Sequence, residues 1–98
     1  MIAIRHVIFR GRVQGVGYRA FVEDEAMERG IEGWVRNRRD GTVEALFAGE
    51  AKAVDDTIAA CRKGPPGARV EGVKMRDGGA DELAECVQGA AFAVLPTL

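Results

Sequence analysis

The sequence predicts an α+β sandwich, in which an antiparallel sheet carries two helices on one of its faces. Three observations predict it. Apolar residues alternate with period two in some segments and recur at helical spacing in others, in the order strand, helix, strand, strand, helix, strand, with a short apolar strand last. Each helical segment has one apolar stripe, so both can dock on the same sheet face. The chain has 98 residues, 47% of them hydrophobic, which suits one modest core and a single domain, 1–98. This α/β alternation is the split βαβ order of a ferredoxin-like sandwich, whose second sheet face is expected to be open to water.

The first strand is "IAIRHVIFRGRV", with Val7, Phe9, Gly11 and Val13 on one face and Arg10 and Arg12 on the other. "YRAFVEDEAMERG" reads as a helix closed by Gly30, with Tyr18, Val22 and Ala26 stacked and Phe21 beside them. Its acids Glu23, Asp24 and Glu25 are expected in the early turns, where the helix dipole favours them. "IEGWVRNR" and "TVEALFA" are strands joined by the Asp-Gly turn "RRDG". Ala51, Val54, Ile58 and Cys61 give the second helix its stripe, and Gly64 with Pro65 and Pro66 ends it. "ARVEGVKMR" is the fourth strand and "FAVL" a short terminal one. Between them, residues 77–91 read as a loop with a helical turn.

Composition excludes several functions. Net charge is -1, so no overall field draws the chain to nucleic acid or to an anionic membrane. Cys61 and Cys86 lie far apart, and His6 is the one histidine, so neither a zinc site nor a redox motif is indicated. The N-terminus has no signal-peptide pattern, and no apolar run approaches the ~20 residues that span a bilayer. A soluble, cytoplasmic monomer is expected.

"QGVGYR" is the segment that points to chemistry. A turn containing Gly15 and Gly17 can aim consecutive backbone N–H groups at an anion, and the helix that follows adds its positive end. Arg19, in the first turn, adds a guanidinium that can grip two phosphate oxygens. The same residues also suit a plain tight turn and a solvated arginine. The pattern is neither GxGxxG nor a Walker A loop. Asn37, just before the Asp-Gly turn, serves turn chemistry or, where the second strand's end approaches the cradle, could hold a water.

Two separated motifs, "GRVQGVGYR" at 11–19 and "GWVRNRRDGTVE" at 33–44, closely resemble those of the acylphosphatase family, and "KGPPGARVEGV" at 63–73 is similar to its post-helix segment. The resemblance implies hydrolysis of the carboxyl–phosphate bond of a small acyl phosphate, releasing a carboxylate and inorganic phosphate. It implies Arg19 as the phosphate-binding arginine and Asn37 as the residue that orients the attacking water. The loop Gln14, Gly15, Val16, Gly17, Tyr18 and Arg19 matches the backbone cradle. No metal or organic cofactor is implied. Tyr18 replaces a common phenylalanine, and its added hydroxyl is harmless if it reaches water. Arg29 replaces a frequent aliphatic residue, its stem able to cover the core. Residues 77–91 do not match clearly.

A non-catalytic, phosphate- or anion-binding module of the same family, of the kind attached to larger maturation proteins, is the alternative to a stand-alone enzyme. A single-stranded RNA binder would need stacking aromatics on the open sheet face, and no such run is visible. His6 is expected on that face, Trp34 to pack or cover the sheet, and "RNRR" to be a solvated turn that attracts anionic substrate.

Overall fold

The structure, a computed structural model, describes residues 1–84 and 91–98. Chain order is β1 Ile2–Arg12, α1 Tyr18–Glu28, β2 Glu32–Asn37, β3 Val43–Glu50, α2 Ala51–Lys63, β4 Arg69–Asp77, α3 Ala80–Leu83 and β5 Phe92–Val94. The sheet order is β4-β1-β3-β2-β5. β1 sits between β3 and β4 and is antiparallel to both; β2 is antiparallel to β3. The terminal strand adds a parallel pairing with β2, so the sheet is mixed at that edge.

Register follows from the period-two pattern. Val7 faces Ala45 and Phe9 faces Val43 across β1 and β3, which puts both pairs on the helix side. There they pack with Val22, Ala26, Val54, Ile58 and Cys61 in the main core. Phe9 meets Tyr18 edge-on with ring centroids 5.5 Å apart, and Phe47 stacks on Phe92 at 5.9 Å. Helix α1 ends as expected: Gly30, at φ 68°, lets its N–H reach Met27 O while Ile31 N–H reaches Ala26 O. Glu50 caps α2, accepting from Lys52 N and Ala53 N.

The second face of the sheet is covered in part. Trp34 and Leu46 pack there with Ala93 and Leu95, bordered by Ile4 and Leu83. Trp34 donates its indole N–H to Glu82 O at 2.8 Å, which fastens the one-turn helix α3 over the sheet. Residues 77–84 of the unclear segment thus form a strand end and a helical turn; the rest, with Cys86, lies mostly outside the described residues.

His6 does lie on this face, yet it is buried rather than wet. Its Nε2–H donates to Glu44 Oε2 at 2.6 Å, while Arg36 Nε and Arg38 Nη1 donate to Glu44 Oε1 at 2.8 and 3.0 Å. Arg36 also lies 4.6 Å over the Trp34 ring. The expected solvated "RNRR" turn is therefore corrected: two of its arginines converge on a buried carboxylate. Burial alone would raise the Glu44 pKa, but hydrogen bonds from His6 and Arg36 and the charge of Arg36 outweigh it and hold it below its ordinary 4.5. A depressed pKa stabilises the fold above the ordinary value, and that contribution is lost as pH falls through the lower folded value. Glu44→Gln is expected to cost about 1–3 kcal/mol at neutral pH, with the deficit narrowing in acid. Urea midpoints of both proteins between about pH 7 and pH 3 check this, and a constant gap would contradict it.

Candidate active site

The cradle forms because its two glycines sit where other residues are strained. Gly15 and Gly17 have φ of 74° and 75°, and a Cβ on either would meet nothing within 4 Å. Conformation therefore demands glycine there, not lack of space. Gly17 is the N-cap of α1 and offers no side-chain cap, so the first N–H groups of the helix keep their donors for another acceptor. No acid lies in that first turn. The acids begin in the second turn, with Glu23, within the early turns where they are expected.

The other loop residues fix this backbone. Val16 packs its side chain against the core. Gln14 uses both amide hydrogens as a strap: Nε2 donates to Arg38 O and to Thr42 O, each at 2.8 Å. Those carbonyls belong to the turn that follows Asn37, where Arg38 N–H also reaches Thr42 O at 2.9 Å. Nothing at sequence level assigned this role to the Gln14 side chain; a long amide directly before Gly-x-Gly was the available signal. Gln14→Ala is expected to lower kcat/KM about tenfold, short of the ~10²-fold that a full ångström of misplacement brings. Gln14→Glu, which aims acceptors at two carbonyls, should be worse.

Tyr18 anchors the helix start. Its ring is 1% exposed and its hydroxyl donates to Cys61 O at 2.6 Å, so the hydroxyl reaches α2 and not water. Burial, followed by the nearby Cys61, raises its pKa far above the usual range. Burial, then the charge of Glu25, pushes the Cys61 thiol up to about 12. Cys61 is therefore a packed, unreactive thiol. Arg29 folds back on Glu25 at 3.1 Å.

One cleft of about 290 Å³ gathers the predicted pair: Arg19, Asn37, Gly15, Gly17 and Tyr18 line it with Val13, Ala20, Glu23 and Val94. That volume suits a small molecule. The Arg19 side chain makes no hydrogen bond or ion pair with any described residue. Asn37 Oδ1 is buried and has no partner among the described residues. The C-terminal tail steadies Asn37 from the other side: Leu98 N–H donates to Asn37 O at 3.1 Å and Leu95 N–H to Val35 O at 2.9 Å. Val94 and Glu23 are cleft residues that the sequence reading missed; the i+4 spacing of Glu23 from Arg19 was the signal for the second.

A family model described as Acylphosphatase matches residues 5–85. An acylphosphatase of Bradyrhizobium diazoefficiens is 59% identical, the match covering 98% of this chain and 97% of the relative. One from Rhodopseudomonas palustris is 58% identical, covering 97% and 96%. The crystal structure of acylphosphatase from Bacillus subtilis superposes with a TM-score of 0.82 at 34% identity, covering 97% of this chain and 99% of that one.

Proposed function

The chain belongs to the acylphosphatase family, hydrolases that act on acyl phosphates, and from that premise we propose that Arg19 and Asn37 carry the reaction. The phosphoryl group of a small acyl phosphate sits in the cradle. N–H groups of the 14–19 loop and the start of α1 donate to its oxygens, and Arg19 grips two of them through its fork. Asn37 Oδ1 accepts a hydrogen bond from the attacking water, which leaves a water lone pair directed at phosphorus. The bond from water oxygen to phosphorus forms as the bond from phosphorus to the carboxyl oxygen breaks. The electron pair leaves with the carboxylate, and the water's proton passes to a phosphoryl oxygen. A carboxylate is stable at neutral pH, so its departure needs no strong general acid. Positioning and charge stabilisation are the remaining tasks.

The observation that carries this reading is the convergence on one cleft of a guanidinium and an amide Oδ1, neither with a partner among the described residues, at a helix start without a side-chain cap. The same reading has the chain act as a single-domain cytoplasmic monomer on acyl phosphate, with inorganic phosphate as product, without metal, organic cofactor or nucleic acid. Among the described residues no helix is long and apolar enough to cross a membrane. Hydrolysis of benzoyl phosphate by the purified chain, with chelator present, is the test, beside Arg19→Ala and Asn37→Ala. Chelator-insensitive turnover lost in both folded variants supports the roles. A folded wild type without turnover would leave the anion-binding module as the better reading.

A further inference from the structure

Resting on the reading above, we propose that Glu23 tunes specificity for the acyl group, favouring uncharged or cationic acyl chains over those that carry a second carboxylate. Glu23 lines the same cleft as Arg19 and Asn37. It is four residues beyond Arg19 on α1, so it shares that helix face about 6 Å further from the helix start. The cradle fixes the phosphoryl group at the helix start. The acyl group then extends along the remaining wall, which Ala20, Glu23 and Val94 form.

That wall is mixed in character. Val94 is 40% exposed and presents an apolar surface from β5. Glu23 is half-buried, and its carboxylate makes no ion pair or hydrogen bond with any described residue. No ion pair joins it to Arg19, one turn away on the same helix. A carboxylate beside a site for a dianion works against binding in general, so its presence calls for a purpose served at the acyl end. Across a few ångströms of partly screened cleft it repels a second carboxylate on the substrate and attracts an ammonium group.

The test compares succinyl phosphate, whose acyl chain carries a carboxylate, with benzoyl phosphate, whose acyl group is uncharged. Glu23→Gln removes charge near the dianion and so acts on both substrates; the ratio of their kcat/KM values is the readout. The expected result is that the succinyl-to-benzoyl ratio rises about tenfold in Glu23→Gln. Glu23→Asp should keep the ratio within about threefold of wild type, and added salt should shrink the difference between wild type and Glu23→Gln. An unchanged ratio in Glu23→Gln, with both substrates turned over, overturns this inference and leaves the roles of Arg19 and Asn37 standing. Absence of turnover of both substrates by the folded wild type overturns the reading of the site and this inference with it.

Discussion

Arg19→Ala is expected to lower kcat/KM for benzoyl phosphate about 10³-fold and to remove competitive inhibition by inorganic phosphate. The size of the effect follows from what remains. Backbone N–H groups at the start of α1 still face the phosphoryl group, and the helix dipole still favours an anion. Neutral donors, however, bind an anion less strongly than charged ones, and removing even one such donor from a preorganised site costs about 10²–10³-fold. Arg19 supplies two bonds and a full charge. Its loss should leave the fold almost untouched, within about 0.5 kcal/mol, because the guanidinium has no partner among the described residues to leave behind. Arg19→Lys should recover part of the binding but little of the rate, since a point charge replaces a planar fork. Activity of Arg19→Ala within about tenfold of wild type would mean that the cradle alone holds the phosphoryl group.

Legibility in the sequence divides along the length scale of each interaction. The strand period that sets Val7 and Phe9 inward, the stripe through Val54, Ile58 and Cys61, and the glycines before Arg19 are local signals, and each stands where it was expected. The approach of Asn37 to the cradle also follows from topology, because β2 and β1 both border β3. What escaped the sequence reading depends on partners distant in the chain. The Gln14 strap reaches 24 and 28 residues ahead, the His6–Glu44 pair spans 38, and the indole of Trp34 reaches 48 to Glu82. A polar side chain announces its hydrogen-bonding capacity but not its partner. Glu44 was thus legible only as the polar half of an alternation, although it gathers two arginines and a histidine on the sheet face. The Tyr18 hydroxyl is the same case in miniature, since only the packing of α1 on α2 directs it to Cys61 O. The terminal strand's part in the cleft was hidden for a further reason: β5 is three residues long, too short for its pattern to show direction or face.

Asn37→Ala separates the two halves of the proposed chemistry, and its expected result is a kcat lower by about 10²-fold with inhibition by inorganic phosphate within about twofold of wild type. The cradle and Arg19 keep the phosphoryl group; what is lost is the acceptor that orients the water. A water free to tumble reaches the in-line geometry rarely, so turnover falls while occupancy persists. Stability should move the other way. A buried acceptor without a partner costs about 1–3 kcal/mol, and Asn37 Oδ1 is buried with no partner among the described residues. Removing it relieves that cost, so Asn37→Ala is expected to melt at or slightly above the wild-type temperature, as happens where a site is kept for function at the expense of the fold. Asn37→Asp provides the contrast. It retains an acceptor at the same position but sets a negative charge beside a dianion, so it should weaken phosphate binding as well as turnover. Weak phosphate inhibition in Asn37→Ala with turnover intact would reassign Asn37 from the water to the phosphoryl group. A marked loss of stability would show instead that its amide serves the hairpin more than the cleft.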